Sequence, residues 1–367
     1  MKKVLFTVAL MLTACLAQAQ VSVVKEAKSN KSKPEEAAKI LEPALTNSET
    51  AGDPETWKLA GDFQKSIYDE ENMKLFLPGG KADTTKLYNS LAKMYDYYLK
   101  CDEAEQSKVK SGELKKPKYR KKNAEVLAKL RPNLTNGGSD YYNNGNYEKA
   151  LKFFGMFVDV VNEPIFEENQ VVKQDTLIPL ISCYATLAAN SLKDNKAILK
   201  YGAIGKNHKD EGYRALMCLA EVYGNKETGD SAKWLETIKE GSEKFPKQEY
   251  FVGNIMDYYI QKGKLDDALN QINSLIAKNE TPYFLYVKGI ILYEKKQYDA
   301  AIAEFNKIIA KNAELVAEAY SKLGDCYFFP AQTIVEENSK LAIGDAKYTA
   351  NEAKIKDLYL KAKPLYE

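Results

Sequence analysis

One histidine, five cysteines and a few glycine-rich turns are all that this 367-residue sequence offers to a catalyst. His208 sits in Lys206-Asn207-His208-Lys209-Asp210, which reads as a polar loop. A histidine acting as a base needs an orienting partner and a nucleophile within reach, and no motif here supplies either. Gly79-Gly80-Lys81 hints at a phosphate-cradling loop, but Leu75 stands where its first glycine is required and Ala82 where its serine or threonine belongs. Ser139, in Gly137-Gly138-Ser139-Asp140-Tyr141, lacks the second glycine of a nucleophile elbow. The carboxylate pairs Asp266-Asp267 and Glu336-Glu337 read as solvated helix surface. Beyond Cys15, the cysteines Cys101, Cys183, Cys218 and Cys326 form no Cys-x-x-Cys pair. Cys183, Cys218 and Cys326 each fall in a separate helical stretch where small apolar residues pack, so buried free thiols are expected rather than disulfides or a metal site. These residues point to a binding protein without catalytic, cofactor or metal residues.

The helices that would do the binding show in the spacing. In the clearest stretch Gly138 and Tyr141 lie on one helix, Asn144-Gly145-Asn146 makes a turn, and Tyr147, Ala150 and Phe154 lie on the next. Steps of three and four residues put those three side chains on one stripe, which must be buried. A small residue at the crossing lets two helix axes approach to roughly 8–10 Å, and the aromatics fill the space around it. Pro282, Gly289, Tyr298, Ala301 and Phe305 repeat the arrangement. Trp57, Ala60 and Gly61 supply the first-helix half, as do Tyr320, Leu323, Gly324 and Tyr327. Leu265, Ala268 and Ile272 supply the second half, with Tyr259 on the helix before. Fainter copies centre on Ala197 with Tyr201, and on Ala232 after Ala220 and Tyr223.

This pattern resembles the tetratricopeptide repeat, in which a Trp, a Leu-Gly pair and a Tyr on the first helix meet an Ala and a Phe on the second. The resemblance covers most of the chain. It implies an all-α, right-handed α-solenoid of about seven helical hairpins and a role in holding protein or extended-peptide partners, with no cofactor. Two hairpins look stretched. After Gly61 the second-helix stripe is delayed to Tyr88, Leu91 and Tyr95, beyond Pro78-Gly79-Gly80. After Gly324 it is delayed to Tyr359, Ala362 and Tyr366, beyond Pro330 and a Lys- and Glu-rich stretch. The last residue, Glu367, falls inside a helical pattern with no polar capping helix after it, so either a partner at that end or a product shorter than its relatives is expected.

At the other end, Lys2-Lys3, an apolar run from Val4 to Leu12 and Ala17-Gln18-Ala19 read as a secretory signal peptide. Its apolar run is too short for a membrane span, and no later segment approaches the roughly 20 apolar residues that a span needs. Leu12-Thr13-Ala14-Cys15 also fits a lipobox, which would lipidate Cys15 and tether the protein by lipid. Cutting after Ala19 is favoured, because its small residues and trailing polar sequence suit that cleavage. The leader ending Ala-Gln-Ala-Gln, the segment DPETWKLAG from Asp53 and YYNNGNYEKALKFF from Tyr141 together resemble secreted tetratricopeptide-repeat proteins of Bacteroides-type Gram-negative bacteria. That resemblance implies an exported, periplasmic location, with an outer-membrane lipoprotein as the alternative. The expected divisions are a leader at 1–19, a polar, partly helical cap at 20–53, a stretched first hairpin at 54–107, a basic linker or helix at 108–130, the repeat array at 131–315 and a last hairpin with a long insertion at 316–367.

In such arrays the first helices line a concave groove, and the residue after each small crossing residue faces it. That reading gives Asp62, Ser139, Thr186, Glu221, Asp257, Ile290 and Asp325, flanked one turn later by Tyr142, Asn190, Tyr293 and Phe328. Four of the seven are acidic, so the groove is expected to suit a basic extended peptide. A second charged feature, Lys115, Lys116, Lys118, Arg120, Lys121 and Lys122, reads as a basic linker or as a contact patch for anionic envelope material or an acidic partner. The formal net charge of +2 gives no reason to expect nucleic acid. The expected function is a non-enzymatic periplasmic or envelope scaffold or adaptor for a protein partner. A glycan- or solute-binding envelope protein is the alternative.

Overall fold

The computed structural model describes residues 22–167, 170–311 and 314–367; the expected leader and Cys15 lie outside them. Among the described residues every regular element is helical, and the chain divides into two compact units, 1–219 and 220–367. The first holds α1 (22–29), α2 (Pro34–Leu41), α3 (Pro54–Lys74), α4 (Thr84–Lys110), α5 (Arg120–Leu130), α6 (Pro132–Asn143), α7 (Tyr147–Asp159), α8 (Gln170–Lys173), α9 (Ile178–Ser191) and α10 (Asn195–Gly205). The division falls within α11 (Gly212–Tyr223). The second unit continues with α12 (Ser231–Lys244), α13 (Glu249–Gln261), α14 (Leu265–Lys278), α15 (Pro282–Glu294), α16 (Tyr298–Ala310), α17 (Val316–Asn338) and α18 (Ala346–Tyr366).

Consecutive helices pair as hairpins: α3 with α4, α6 with α7 and α9 with α10 in the first unit, α13 with α14, α15 with α16 and α17 with α18 in the second. Four of the turns close in one way. In α6–α7, α9–α10, α13–α14 and α15–α16 a residue with positive φ (Gly145, Lys193, Gly263, Lys296) follows the first helix. The next residue's amide (Asn146, Asp194, Lys264, Gln297) reaches back to the carbonyl of Tyr141, Ala189, Tyr259 or Leu292 at 2.8–3.0 Å. This double-backed closure satisfies carbonyls that the helix end would otherwise leave bare. It is local, so every one of these hairpins gets the same turn from a short stretch of sequence.

Crossings are set by glycine against an aromatic ring. A Cβ on Gly138 would overlap the Phe154 ring and one on Gly289 the Phe305 ring, with both phenylalanines and the intervening Ala150 and Ala301 fully buried. The stretched hairpins keep the contact across a longer excursion: Gly61 meets Tyr98, and Gly324 meets Tyr366. Their extra residues lengthen the helices, to 21 and 27 residues in α3 and α4 and to 23 and 21 in α17 and α18.

Four sequence expectations need correction. The ring on Gly61 is Tyr98, one turn beyond the expected stripe, because Tyr95 turns away to donate its hydroxyl to the Leu127 carbonyl on α5. Ala232 is exposed in the first turn of α12, whose buried residues are Thr237, Ile238, Gly241 and Ser242, with Gly241 pressed on Phe251 of α13. The weak-copy register there is therefore displaced by more than a turn. Thr186 does not face a groove: it is fully buried, and its hydroxyl donates to the Ser182 carbonyl at 2.7 Å. Finally, the segment before Asp53 is more helical than expected, with α1, α2 and a 3-10 turn over Glu42–Leu45 burying Ala27, Ala37, Leu41 and Ala44 against Leu59, Ala60 and Phe63.

Candidate functional site

The eight expected groove residues fall into two groups. Asp62, Tyr142 and Asn190 belong to the first unit, and Glu221, Asp257, Tyr293, Asp325 and Phe328 to the second. The first group does not converge. Asp62 is already committed: it accepts the Tyr98 hydroxyl at 2.7 Å and pairs with Lys58 at 2.5 Å. Tyr142 is half-buried with its ring edge-on to Tyr147, 5.2 Å away across the hairpin turn. The Asn190 carbonyl accepts the Lys193 amide in the turn closure.

In the second unit, three of the five lie together. Asp325 repeats the bonding of Asp62: it accepts the Tyr366 hydroxyl at 2.9 Å and pairs with Lys322 at 2.8 Å. The parallel has a chemical cause. Where the ring pressed on the crossing glycine is a tyrosine, its hydroxyl needs an acceptor, and the residue after that glycine is Asp62 or Asp325. Where the ring is Phe154 or Phe305, that residue is Ser139 or Ile290. Two members of the expected acidic stripe are thus tied into the packing of their own hairpins. Glu221 and Asp257 are exposed.

Around Asp325 the aromatics join up. Tyr298 packs on Tyr293 (5.7 Å between ring centroids), Tyr293 on Phe329 (6.1 Å), Phe329 on Phe328 (5.4 Å) and Phe328 on Tyr359 of α18 (5.8 Å). The Lys322 ammonium lies 5.7 Å over the Tyr293 ring. Burial, reinforced by the Asp325 carboxylate, pushes the Tyr293 hydroxyl up to about 12. Burial and then the hydrogen bond to Asp325 raise Tyr366, so both phenols stay neutral near neutral pH. This aromatic run leads into a cleft of about 900 Å³ between α17 and α18, floored by Phe328, Val335, Ile355, Tyr359 and Leu360 and edged by Glu352, Lys356 and Lys363. Leu360 is 63% exposed and Tyr366 50%, so an apolar surface lies open along the last hairpin.

Register within the second unit shows what shape fits there. Gly324, Phe328, Tyr359 and Tyr366 stand where Gly289, Tyr293, Tyr298 and Phe305 stand one hairpin earlier, with the same glycine–ring and ring–ring contacts. In the earlier hairpin that surface is covered by a helix, α17, through Ala319, Leu323, Cys326 and Phe329. The cleft therefore has the form of a helix seat.

The basic segment is held from below. Buried Glu105 accepts the backbone amides of Lys118, Tyr119 and Arg120 at 2.6–3.0 Å, capping the start of α5. A carboxylate at that position complements the bare amides and the positive end of the helix. Arg120 turns inward to Asp102 at 3.5 Å and to the Pro164 carbonyl, leaving Lys115, Lys116, Lys118, Lys121 and Lys122 exposed.

The expected non-catalytic residues stand as follows. His208 accepts the Glu211 amide at Nδ1 (3.0 Å) in the turn before α11. Cys101, Cys183, Cys218 and Cys326 are buried thiols outside any disulfide, and burial pushes Cys101, Cys183 and Cys326 up to about 12. Among the described residues no group of three or more His, Cys, Asp and Glu is placed to hold a metal, and no helix is long and apolar enough to cross a membrane. The Asp–Tyr pairs could not be read from sequence, because their partners lie 36 and 41 residues apart.

No curated protein matches the chain. Among solved structures it is similar to a TPR repeats protein of Bacteroides fragilis, at 16% identity over 64% of this chain and 88% of that one, with a TM-score of 0.33. It is also similar to a thermophilic TPR protein of Thermus thermophilus, at 20% identity over 53% of this chain and 98% of that one, with a TM-score of 0.28. The TPR domain of P58(IPK) aligns over 95% of this chain and 98% of its own length at 12% identity, with a TM-score of 0.27. Residues 256–316, from the second half of α13 to the start of α17, match the tetratricopeptide repeat family.

Proposed function

We propose that this chain is a non-enzymatic scaffold of the cell envelope that holds a protein partner, and that the cleft between α17 and α18 seats a segment of that partner. The cleft itself carries the reading: about 900 Å³, floored by aromatic and branched aliphatic side chains, in the register that α17 covers one hairpin earlier. Its shape suits an amphipathic helix with an apolar edge like that of α17. Lys356 and Lys363 on the rim favour acidic flanks on that helix. The basic-peptide expectation now rests on exposed Glu221 and Asp257, since Asp62 and Asp325 are bound within their hairpins. The envelope location rests on the leader sequence, with cleavage after Ala19 giving a periplasmic protein and lipidation of Cys15 an outer-membrane one. The exposed lysines from Lys115 to Lys122 would add a salt-sensitive contact with anionic envelope material or an acidic partner.

The test is affinity capture from the organism's own envelope fraction under mild crosslinking, with mass spectrometry of what is retained and of the bait's N-terminus. The double variant Val335→Asp, Leu360→Asp is expected to lose a protein partner that the parent and the Glu221→Gln, Asp257→Asn variant both retain. Capture unchanged by the cleft variant would remove the cleft. Loss confined to the acidic variant would restore the basic-peptide reading. A glycan-binding role is the second reading, favoured by the Tyr348, Tyr359 and Tyr366 rings beside the cleft, which could stack on sugars. Binding to a glycan array with no protein captured would establish it.

A further inference from the structure

At the tip of the first stretched hairpin, four large apolar side chains within five residues face solvent: Met73 is 62% exposed, Leu75 52%, Phe76 79% and Leu77 54%. Single exposed leucines are ordinary, but a contiguous cluster on a folded surface marks a contact. Leu75-Phe76-Leu77-Pro78-Gly79-Gly80 carries no charge and is flanked by Lys74 and Lys81.

The chain holds this tip in place. Successive backbone bonds run from the Leu75 amide to the Asn72 carbonyl (3.2 Å), from Phe76 to Met73 (3.1 Å) and from Gly80 to Leu77 (3.0 Å). Gly80 lies so close to the Lys74 carbonyl that a Cβ there would collide with it. Beneath the turn, buried Glu71 accepts the Asp83 amide at 2.9 Å and pairs with Lys74 at 2.8 Å and Lys86 at 2.6 Å, and Lys86 also pairs with Glu35 of α2 at 2.7 Å. An anchored turn that presents its apolar side chains outward needs no further ordering of its backbone when a contact forms.

The shape selects the occupant. Met73, Leu75, Phe76 and Leu77 are each more than half exposed at the tip of the hairpin, so the apolar surface is a projecting knob rather than the wall of a groove. A flat protein surface would cover part of it, whereas the interior edge of a lipid bilayer surrounds such a knob on every side. Lys81 at the exposed shoulder fits the same medium, since its ammonium group can reach headgroup phosphates while the residues before it enter the acyl boundary; Lys74 at the other shoulder stays with Glu71 and fixes the turn. We propose that the 73–77 tip inserts into the interfacial layer of a lipid bilayer. This does not rest on the reading of the α17–α18 cleft.

The basic segment gives an internal contrast. It follows the far end of α4, whose 27 residues span about 40 Å, so the apolar tip and the lysines from Lys115 to Lys122 sit at opposite ends of one helix. Binding through the tip would persist in high salt and on neutral lipid, whereas binding through the lysines would be lost in both conditions.

The experiment is flotation of the full chain with vesicles of phosphatidylethanolamine and phosphatidylglycerol, and separately of phosphatidylcholine alone, at low and high salt. Leu75→Ser combined with Phe76→Ser is expected to lower partitioning at least tenfold on both lipids, because burying one such side chain is worth about that factor. In a Phe76→Trp variant, brominated lipids should quench the added fluorescence, which reports the tip whatever else on the chain touches the vesicle. Absence of that quenching overturns the proposal, as does equal partitioning of the double-serine variant or loss of binding only when Lys121 and Lys122 are replaced. Circular dichroism of the double variant, expected to match the parent, separates loss of contact from loss of fold.

Discussion

The two stretched hairpins use one device and differ in what covers it. In both, a tyrosine of the second helix lies on a first-helix glycine and donates its hydroxyl to the next residue, an aspartate already paired with a lysine. In α3–α4 that tyrosine, Tyr98, is 1% exposed; in α17–α18 its counterpart, Tyr366, is 50% exposed. The tips differ as well. The first is fixed by a buried carboxylate with two lysines, the second by neutral amides, with Asn351 donating to Asn338 at 2.8 Å and Asn338 to the Tyr348 carbonyl at 3.2 Å. The same local lock can therefore close a hairpin or leave one side free for a partner, depending on whether a neighbour covers it.

The strongest way to break this comparison is at the tips. Glu71→Gln should destabilise the first unit by about 3 kcal/mol, because a neutral amide replaces the buried carboxylate that binds two partly exposed lysines and the Asp83 amide. The change also carries a pH signature. Burial alone would raise the Glu71 carboxyl, but hydrogen bonds from Lys74, Lys86 and the Asp83 amide outweigh it and hold it at about 2, below its ordinary 4.5. A depressed carboxyl contributes its full stability above about 4.5 and loses it as pH falls toward 2. Hydrogen exchange should therefore show the α3–α4 tip loosening across that window in the parent, with no such step in Glu71→Gln or at the neutral α17–α18 tip.

The crossings come next. Gly61→Val should cost about 3 kcal/mol in urea denaturation, since the Tyr98 ring has nowhere to go, and Gly324→Val about 1 kcal/mol, since Tyr366 can swing toward solvent. Equal costs would mean that exposure does not distinguish the two locks. Tyr98→Phe should cost about 1 kcal/mol by removing one of the two donors to Asp62, which keeps Lys58, and Tyr366→Phe less than about 0.5 kcal/mol. An effect of opposite sign is expected at a turn common to the short hairpins. Lys296 is held at φ 57°, where glycine is unstrained, so Lys296→Gly should raise stability by about 1 kcal/mol. A drop on thermal melting would mean that Lys296 makes a contact worth more than its strain.

What could be read from the sequence follows the range of the interactions. Gly138 with Phe154 and Gly289 with Phe305 are sixteen residues apart across a turn of fixed form, so residue type and spacing were enough to place them. Where a hairpin lengthened, spacing lost its hold: Tyr95 and Tyr98 are both tyrosines on α4, and only the α5 carbonyl that takes the Tyr95 hydroxyl shows which one reaches Gly61. Asp62 and Asp325 looked like solvent-facing acids because their partners lie far along the chain. The role of Glu105 was hidden for the same reason, since it caps a helix that begins fifteen residues later. The α17–α18 cleft became visible only when equivalent positions of two hairpins could be compared in space.

The closure of the α6–α7 turn also bears on a chemical weak point of the chain. Asn144 precedes Gly145, a pairing prone to spontaneous loss of the side-chain amide when the following backbone nitrogen attacks it. In the closed turn that nitrogen donates to the Tyr142 carbonyl at 3.0 Å, while the Asn144 amide donates to the Asp140 carbonyl at 2.8 Å. Both groups are engaged in hydrogen bonds while the hairpin is shut, so isoaspartate at 144 is expected to accumulate mainly during the time that this repeat spends open, leaving a chemical record of its unfolding.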